Sequence, residues 1–405
     1  LANTLTTENK AFIKSHLVDR HHTNTLKWDA LQERFGNPDL LPLWVADMEF
    51  KTAQPVRDAL IARVQEGVFG YSFIPDSYKE AFIHWQQDRH GITVKPEWLR
   101  FDNGVVNSLY AMVNWLTKPG DPVLIFQPVY YSFANAVTDT HRELISCNLL
   151  NTPQGWQVDH EALHTIIRDR KPKLAIWCSP HNPVGRVWQP EELEAVLTPL
   201  VDAGIPVVSD EIHEDFEIGD TPFTSVLSVA NGRFQDHVIV LNAPSKTFNL
   251  ATLLHSHVII PNSAWRKDYD DFIKTIHQTE PSLLGVVAGE AAYRQGTPWL
   301  DQIIAIIRYN DSQVRHILHH GAPQIHLQPL EGTYLLYVDL GSYIPADKIK
   351  DFVQNHCHLA VDYGAWFSPQ TPTFIRLNLA TDPQLVARAA HQIVTALQET
   401  VPQAL

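Results

Sequence analysis

The chain has 405 residues, 44% hydrophobic and 19% charged, enough for two or three domains and a large core. Its formal charge of −14, with no basic run to offset it, argues against nucleic acid or an anionic membrane as partner. No apolar run approaches the roughly 20 residues that cross a bilayer, the N-terminal stretch lacks the plan of a secretion signal, and three scattered cysteines fit a reducing cytoplasm.

Along the middle of the chain, β-rich runs alternate with helical patterns. "FDNGVVNSLYAMVNWL" (101–116) reads as a glycine turn followed by an apolar helix. "PVLIF" (122–126), "KLAIWC" (173–178), "IPVVSDE" (205–211) and "HVIVLNA" (237–243) are apolar, β-branched and bounded by Pro, Gly or polar residues, as buried strands are. "QPEELEAVLTPLVDAG" (189–204) has helical spacing, an acidic first turn and a glycine near its end. This alternation predicts an α/β fold whose mostly parallel sheet is covered by helices on both faces. After about residue 285 the pattern changes to long helices, a hairpin-like "GTYLLYVDL" (332–340) and a final helix. The expected organisation is an N-terminal segment, 1–50, packed on a smaller α+β domain, 286–405, with a large α/β domain at 51–285.

Ligands of open α/β sheets bind beyond the carboxyl ends of the strands. The residues directly after three of the strands are "SPHNPVG", "SDEIHED" and "APSKTFN", which would bring Asn182, Asp210 and Lys246 to one edge. A lysine at a strand end has three readings: phosphate grip, surface residue or covalent catalyst. The first fails, because a P-loop needs glycines where Ser245 and Val240 stand. The second weakens once Asn182 and Asp210 share the edge.

A covalent lysine needs a carbonyl partner, and pyridoxal phosphate is the commonest. Its pyridine nitrogen calls for a buried carboxylate, which Asp210, ending an apolar strand, suits better than the competing role of a helix or turn cap. Its phenolic oxygen needs neutral donors; Asn182 and His213 qualify, while His213 also reads as a core histidine. Its phosphate needs a helix N-terminus, as at Gly104. Its ring needs an aromatic plate, for which Tyr130 and Tyr131 are as plausible as they are for core packing.

These motifs resemble a known family. "NAPSKTFNLA", "SPHNPVG" and "SDEIHEDF" are similar to the lysine, asparagine and aspartate motifs of fold-type I pyridoxal-phosphate enzymes of the aminotransferase class I/II superfamily, and "FIRLNLA" (374–380) to the motif whose arginine grips the substrate carboxylate. Their order and the 28- and 36-residue spacings between Asn182, Asp210 and Lys246 also resemble aminotransferases. The resemblance implies that Lys246 bonds covalently to the cofactor and moves protons, that Asp210 pairs with the pyridine nitrogen, and that Asn182 and His213 serve the phenolic oxygen. Tyr130 and Ile212 would flank the ring. Backbone N–H groups at Gly104, Val105 and Val106, with the Ser245 hydroxyl, would hold the phosphate. Arg376, together with Ala46, would take an amino-acid substrate. "FGYSF" resembles the segment whose tyrosine, here Tyr71, reaches the neighbouring subunit's phosphate, which implies a homodimer.

"LPLWVADMEF" (41–50), "DEIH", "GTYLLYVDL" and the stretch 280–301 resemble the cystathionine β-lyase or C–S lyase group. That resemblance implies a cytoplasmic β-lyase releasing a thiol, ammonia and pyruvate. An aminotransferase, or a regulator that binds a transcription factor, is the alternative. Thr252, Leu254 and Ser368 depart from the family pattern; Leu254 stands where a basic phosphate ligand is common. "HEALH" (160–164) matches a zinc pattern without a third ligand and is expected to hold no metal. His316 and His320, one helical turn apart, read as a solvated face. Trp44, Trp366 and Phe367 are the expected side-chain pocket.

Overall fold

The structure, a computed structural model, describes residues 4–401. The main sheet has seven strands: β1 Leu99–Asp102, β2 Pro122–Ile125, β3 Glu143–Ser146, β4 Leu174–Cys178, β5 Val207–Asp210, β6 Val238–Asn242 and β7 Ser256–Ile259. Their spatial order is β1-β7-β6-β5-β4-β2-β3, and only β7 runs against the others. All four sequence-predicted strands are present, trimmed by one or two residues at their ends. Successive side chains leave opposite faces of a strand, so a sheet buried on both faces needs unbroken apolar runs. In β6, Ile239 and Leu241 enter one core with Leu109 and Met112, while Val238 and Val240 enter the other with Trp85 and Phe248.

The helix predicted after "QP" spans Pro190–Asp202; Glu192 accepts from the Gln189 N–H at 2.9 Å, closing its first turn. Beyond residue 282, Leu283–Gln295, Thr297–Gly321 and Pro383–Thr400 are the expected long helices. A smaller sheet is formed by β8 Leu335–Asp339, β9 Asp362–Tyr363 and β10 Phe374–Asn378, with β10 central and antiparallel to both neighbours. The hairpin expected over 332–340 is therefore a single strand. Its partner is the distant β10, a pairing that no local turn pattern encodes.

The N-terminal segment reaches this sheet. Leu41–Pro42 pairs in parallel with Leu359–Ala360, and the next residues run as a strap between the two sheets. Asn378 holds the strap by donating to the carbonyls of Val45 (2.8 Å) and Asp47 (2.7 Å), while Asn249 donates to those of Met48 and Phe50. Behind the strap lies a buried ion cluster. Lys27 Nζ is 2.9 Å from Glu49 Oε1, which also accepts from Arg20 (3.2 Å) and Trp28 (3.0 Å). Removing one member of a buried pair leaves the other charge desolvated and uncompensated. Glu49→Ala is therefore expected to lose about 3 kcal/mol in urea unfolding, and a loss under about 1 kcal/mol would place the cluster among screened surface pairs.

Candidate active site

Cys178, Asp210 and Leu241 lie side by side in register at the carboxyl ends of β4, β5 and β6. The chain beyond each end lines one cavity of about 380 Å³. Asn182, Asp210, His213, Ser245, Lys246, Tyr130, Ile212 and Arg376 all border it, as do Gly104, Val105, Val106 and Ala46. Thus the residues expected at the cofactor and at the substrate carboxylate meet at one place, Tyr71 excepted.

Lys246 sits in a single helical turn, Pro244–Thr247, started by a proline whose missing N–H costs nothing there. Thr247 anchors that turn by donating to the buried Asp215 at 2.7 Å. The Lys246 amine donates to the Ala46 carbonyl of the strap at 2.8 Å. Burial lowers its pKa from 10.5 to about 8; Asp47 and Asp210 oppose that shift and Arg376 adds to it. Asp210 is pushed up to about 7, again chiefly by burial, against the Ile212 N–H (3.1 Å) and the Lys246 charge. Such a carboxylate lacks a full cationic partner. His213 is buried and held neutral by desolvation and by the nearby Lys246 and Arg376 charges, and its Nδ1 has no partner.

Arg376 and Asp362 are cross-strand neighbours on β10 and β9, each only 2% exposed, and they form an ion pair through Nη2. Nη1 donates to Asn182 Oδ1 at 3.0 Å, and the guanidinium lies over the Phe367 ring at 5.0 Å. Its Nε is buried without a partner. At the other end of the cavity, Gly104 precedes the helix Val105–Leu116 with φ +132°, a conformation that L side chains rarely adopt. Asp102 braces this turn by accepting from Asn103, Asn107 and Ser108. No side chain caps the helix start, so its first N–H groups can take an anion.

Residues 38–393 match the family model of aminotransferase class I and II. The chain belongs to the aminotransferase class I and II family. Cystathionine beta-lyase PatB of Bacillus subtilis (strain 168) is 34% identical over 94% of this chain and 98% of that protein. Protein MalY of Escherichia coli (strain K12) is 30% identical over 95% and 98%. Among solved structures, cystalysin from Treponema denticola, which contains a pyridoxal 5′-phosphate cofactor, superposes with a TM-score of 0.90 at 31% identity over 94% of this chain and 98% of that one.

Within this aminotransferase class I and II site, several expectations fall differently. Trp44 lines the cavity; Phe367 is buried under Arg376, and Trp366 is exposed and outside the lining. Tyr71 is 96% exposed and outside the lining of its own chain's cavity. His160 and His164 occupy the first turn of an exposed helix capped by Asp159. Among the described residues, the three potential metal ligands found together are His90, Glu214 and Asp215; His90 bonds to Asp215, which also accepts from Trp85 and Thr247, and Glu214 accepts from Gln86. Sequence reasoning missed Asp362 and the Ala46 carbonyl. The first is marked only by cross-strand register, the second by no side chain at all.

Burying Lys246 in its charged form costs stability below about pH 8, and the cost disappears above 10.5, where the unfolded lysine is neutral as well. Lys246→Met should therefore stabilise the ligand-free protein at neutral pH by about 1–3 kcal/mol. Urea unfolding across the pH range should show this gain shrinking between pH 8 and 10.5; a pH-independent gain would contradict the assignment.

Proposed function

We propose that the protein is a homodimeric, pyridoxal-phosphate-dependent carbon–sulfur β-lyase acting on L-cystathionine or a cysteine-type amino acid. With water, its products are a thiol, ammonia and pyruvate. The observation that carries this reading is the buried amine of Lys246 sharing a cavity with Asp210, Asn182 and the Arg376 guanidinium. The names of the relatives add the lyase chemistry to it.

The residues fit the cofactor. Asp210, under-compensated in the protein alone, suits a protonated ring nitrogen. The Asn182 amide is directed to Arg376 through its oxygen, leaving its NH₂ for the phenolic oxygen, and neutral His213 stands near. Tyr130 and Ile212 would flank the ring, and the N-terminus of Val105–Leu116 with Ser245 would hold the phosphate. Leu254 supplies no charge there, so backbone N–H groups carry more of that task. When bound, pyridoxal phosphate delocalises the electron pair left on the substrate α-carbon.

The chain's own part is positioning and proton transfer. Lys246, its pKa lowered by burial to about 8, is neutral in about one molecule in ten at pH 7, and that neutral amine would remove the α-proton. Arg376, fixed by Asn182 and Phe367, orients the α-carboxylate as a fork. The exposed apolar residues Ile61, Val64, Val68, Phe69 and Phe73 lie close to Tyr71 along the chain and offer apolar surface that a second copy would cover. Tyr71 would then reach the second copy's phosphate. The buried, unpaired Cys147, Cys178 and Cys357 suit work in the cytoplasm.

Purified protein with L-cystathionine should release pyruvate. Efficient amino transfer to an oxo acid without pyruvate would contradict the lyase reading. Tyr71→Phe should leave the dimer intact in light scattering and raise the cofactor dissociation constant about tenfold, the worth of one hydrogen bond to a charged group.

A further inference from the structure

The cation expected to take the substrate carboxylate already carries a carboxylate from its own chain. β9 and β10 place Asp362 directly opposite Arg376, and both border the cavity. Of the guanidinium's donors, Nη2 is committed to Asp362 and Nη1 to Asn182, while Nε is buried without a partner. An incoming carboxylate therefore meets Arg376 with Asp362 still attached, and two anions share one cation.

We propose that Asp362 is a resident counter-ion that competes with the substrate carboxylate for Arg376, so that it sets the enzyme's affinity for amino acids and makes that affinity fall as pH rises. This rests on the reading of Arg376 as the carboxylate grip. Burial raises the Asp362 pKa, and the Arg376 and Lys246 charges oppose that shift. Tyr131, whose own pKa is raised chiefly by burial, interacts with it across the cavity lining. A second carboxylate brought to Arg376 adds like-charge repulsion, which favours uptake of one proton from solvent by Asp362. Protonated Asp362 leaves the guanidinium charge to the substrate. At high pH both carboxylates stay ionised and binding weakens.

The test uses the holoenzyme and L-alanine, which carries the α-carboxylate but no leaving group, with the dissociation constant read from cofactor absorbance. Asp362→Asn keeps a hydrogen-bond acceptor for Arg376 and removes the charge. It should bind L-alanine about tenfold more tightly than the native protein near pH 8, and the gap should narrow as pH falls and Asp362 takes up its proton. L-alaninamide, which lacks the carboxylate, should show no such tightening. Asp362→Ser removes the same charge and serves should the first variant fail to fold. Weaker or unchanged L-alanine binding in the charge-removed protein would overturn the proposal and leave Asp362 as a prop for the arginine. Arg376→Lys separates the underlying reading: L-alanine affinity unchanged there means that Arg376 is not the grip, which overturns both.

Discussion

The site depends on one desolvated amine. Lys246 is carried on a single turn between the end of a central strand and a buried threonine anchor, and it borders the cavity beside the strap. Desolvation, joined by the Arg376 charge, brings the amine within reach of neutral pH, while Asp47 and Asp210 prevent a deeper shift. Its hydrogen bond to the Ala46 carbonyl holds it in place without a second charge. The same carbonyl accepts from the Tyr334 hydroxyl at 2.8 Å, so one backbone oxygen joins the strap, the lysine and the smaller sheet.

That junction explains why the strap is tied down so heavily. Two asparagines from different parts of the chain, Asn249 and Asn378, satisfy its carbonyls, and the Lys27–Glu49–Arg20 cluster closes its far side. Extended backbone inside a protein must have its polar groups paired or lose stability. A second buried cluster, His90 with Glu214 and Asp215, fixes the other side of the lysine turn through Thr247. Burial and the neighbouring Asp215 push Glu214 up to about 8, while His90 is raised and Asp215 lowered by their mutual contact. The lysine turn is thus gripped from behind by charges and in front by backbone.

Much of this was legible in the sequence because strands buried on both faces announce themselves as apolar runs, and the residues just past their carboxyl ends must face the ligand edge. Asn182, Asp210 and Lys246 are found by that rule alone. Arg376 came through the resemblance of "FIRLNLA" to a family motif. Asp362 did not, since its partner is reached across an antiparallel register rather than along the chain. The Ala46 carbonyl has no side-chain signature, although Ala46 itself lies in a stretch picked out by resemblance. "GTYLLYVDL" is a single strand and not a hairpin, because its opening Gly332 bridges Glu217 and its strand pairs with the distant β10.

The central claim is that Lys246, and no other lysine, is the residue that bonds to the cofactor's carbonyl. Reducing the holoenzyme with borohydride and mapping the modified peptide by mass spectrometry tests this most directly. The account predicts loss of the visible absorbance and a single phosphopyridoxyl group on the peptide containing "APSKTFN". A colourless protein with no adduct, or an adduct on a different lysine, would contradict it.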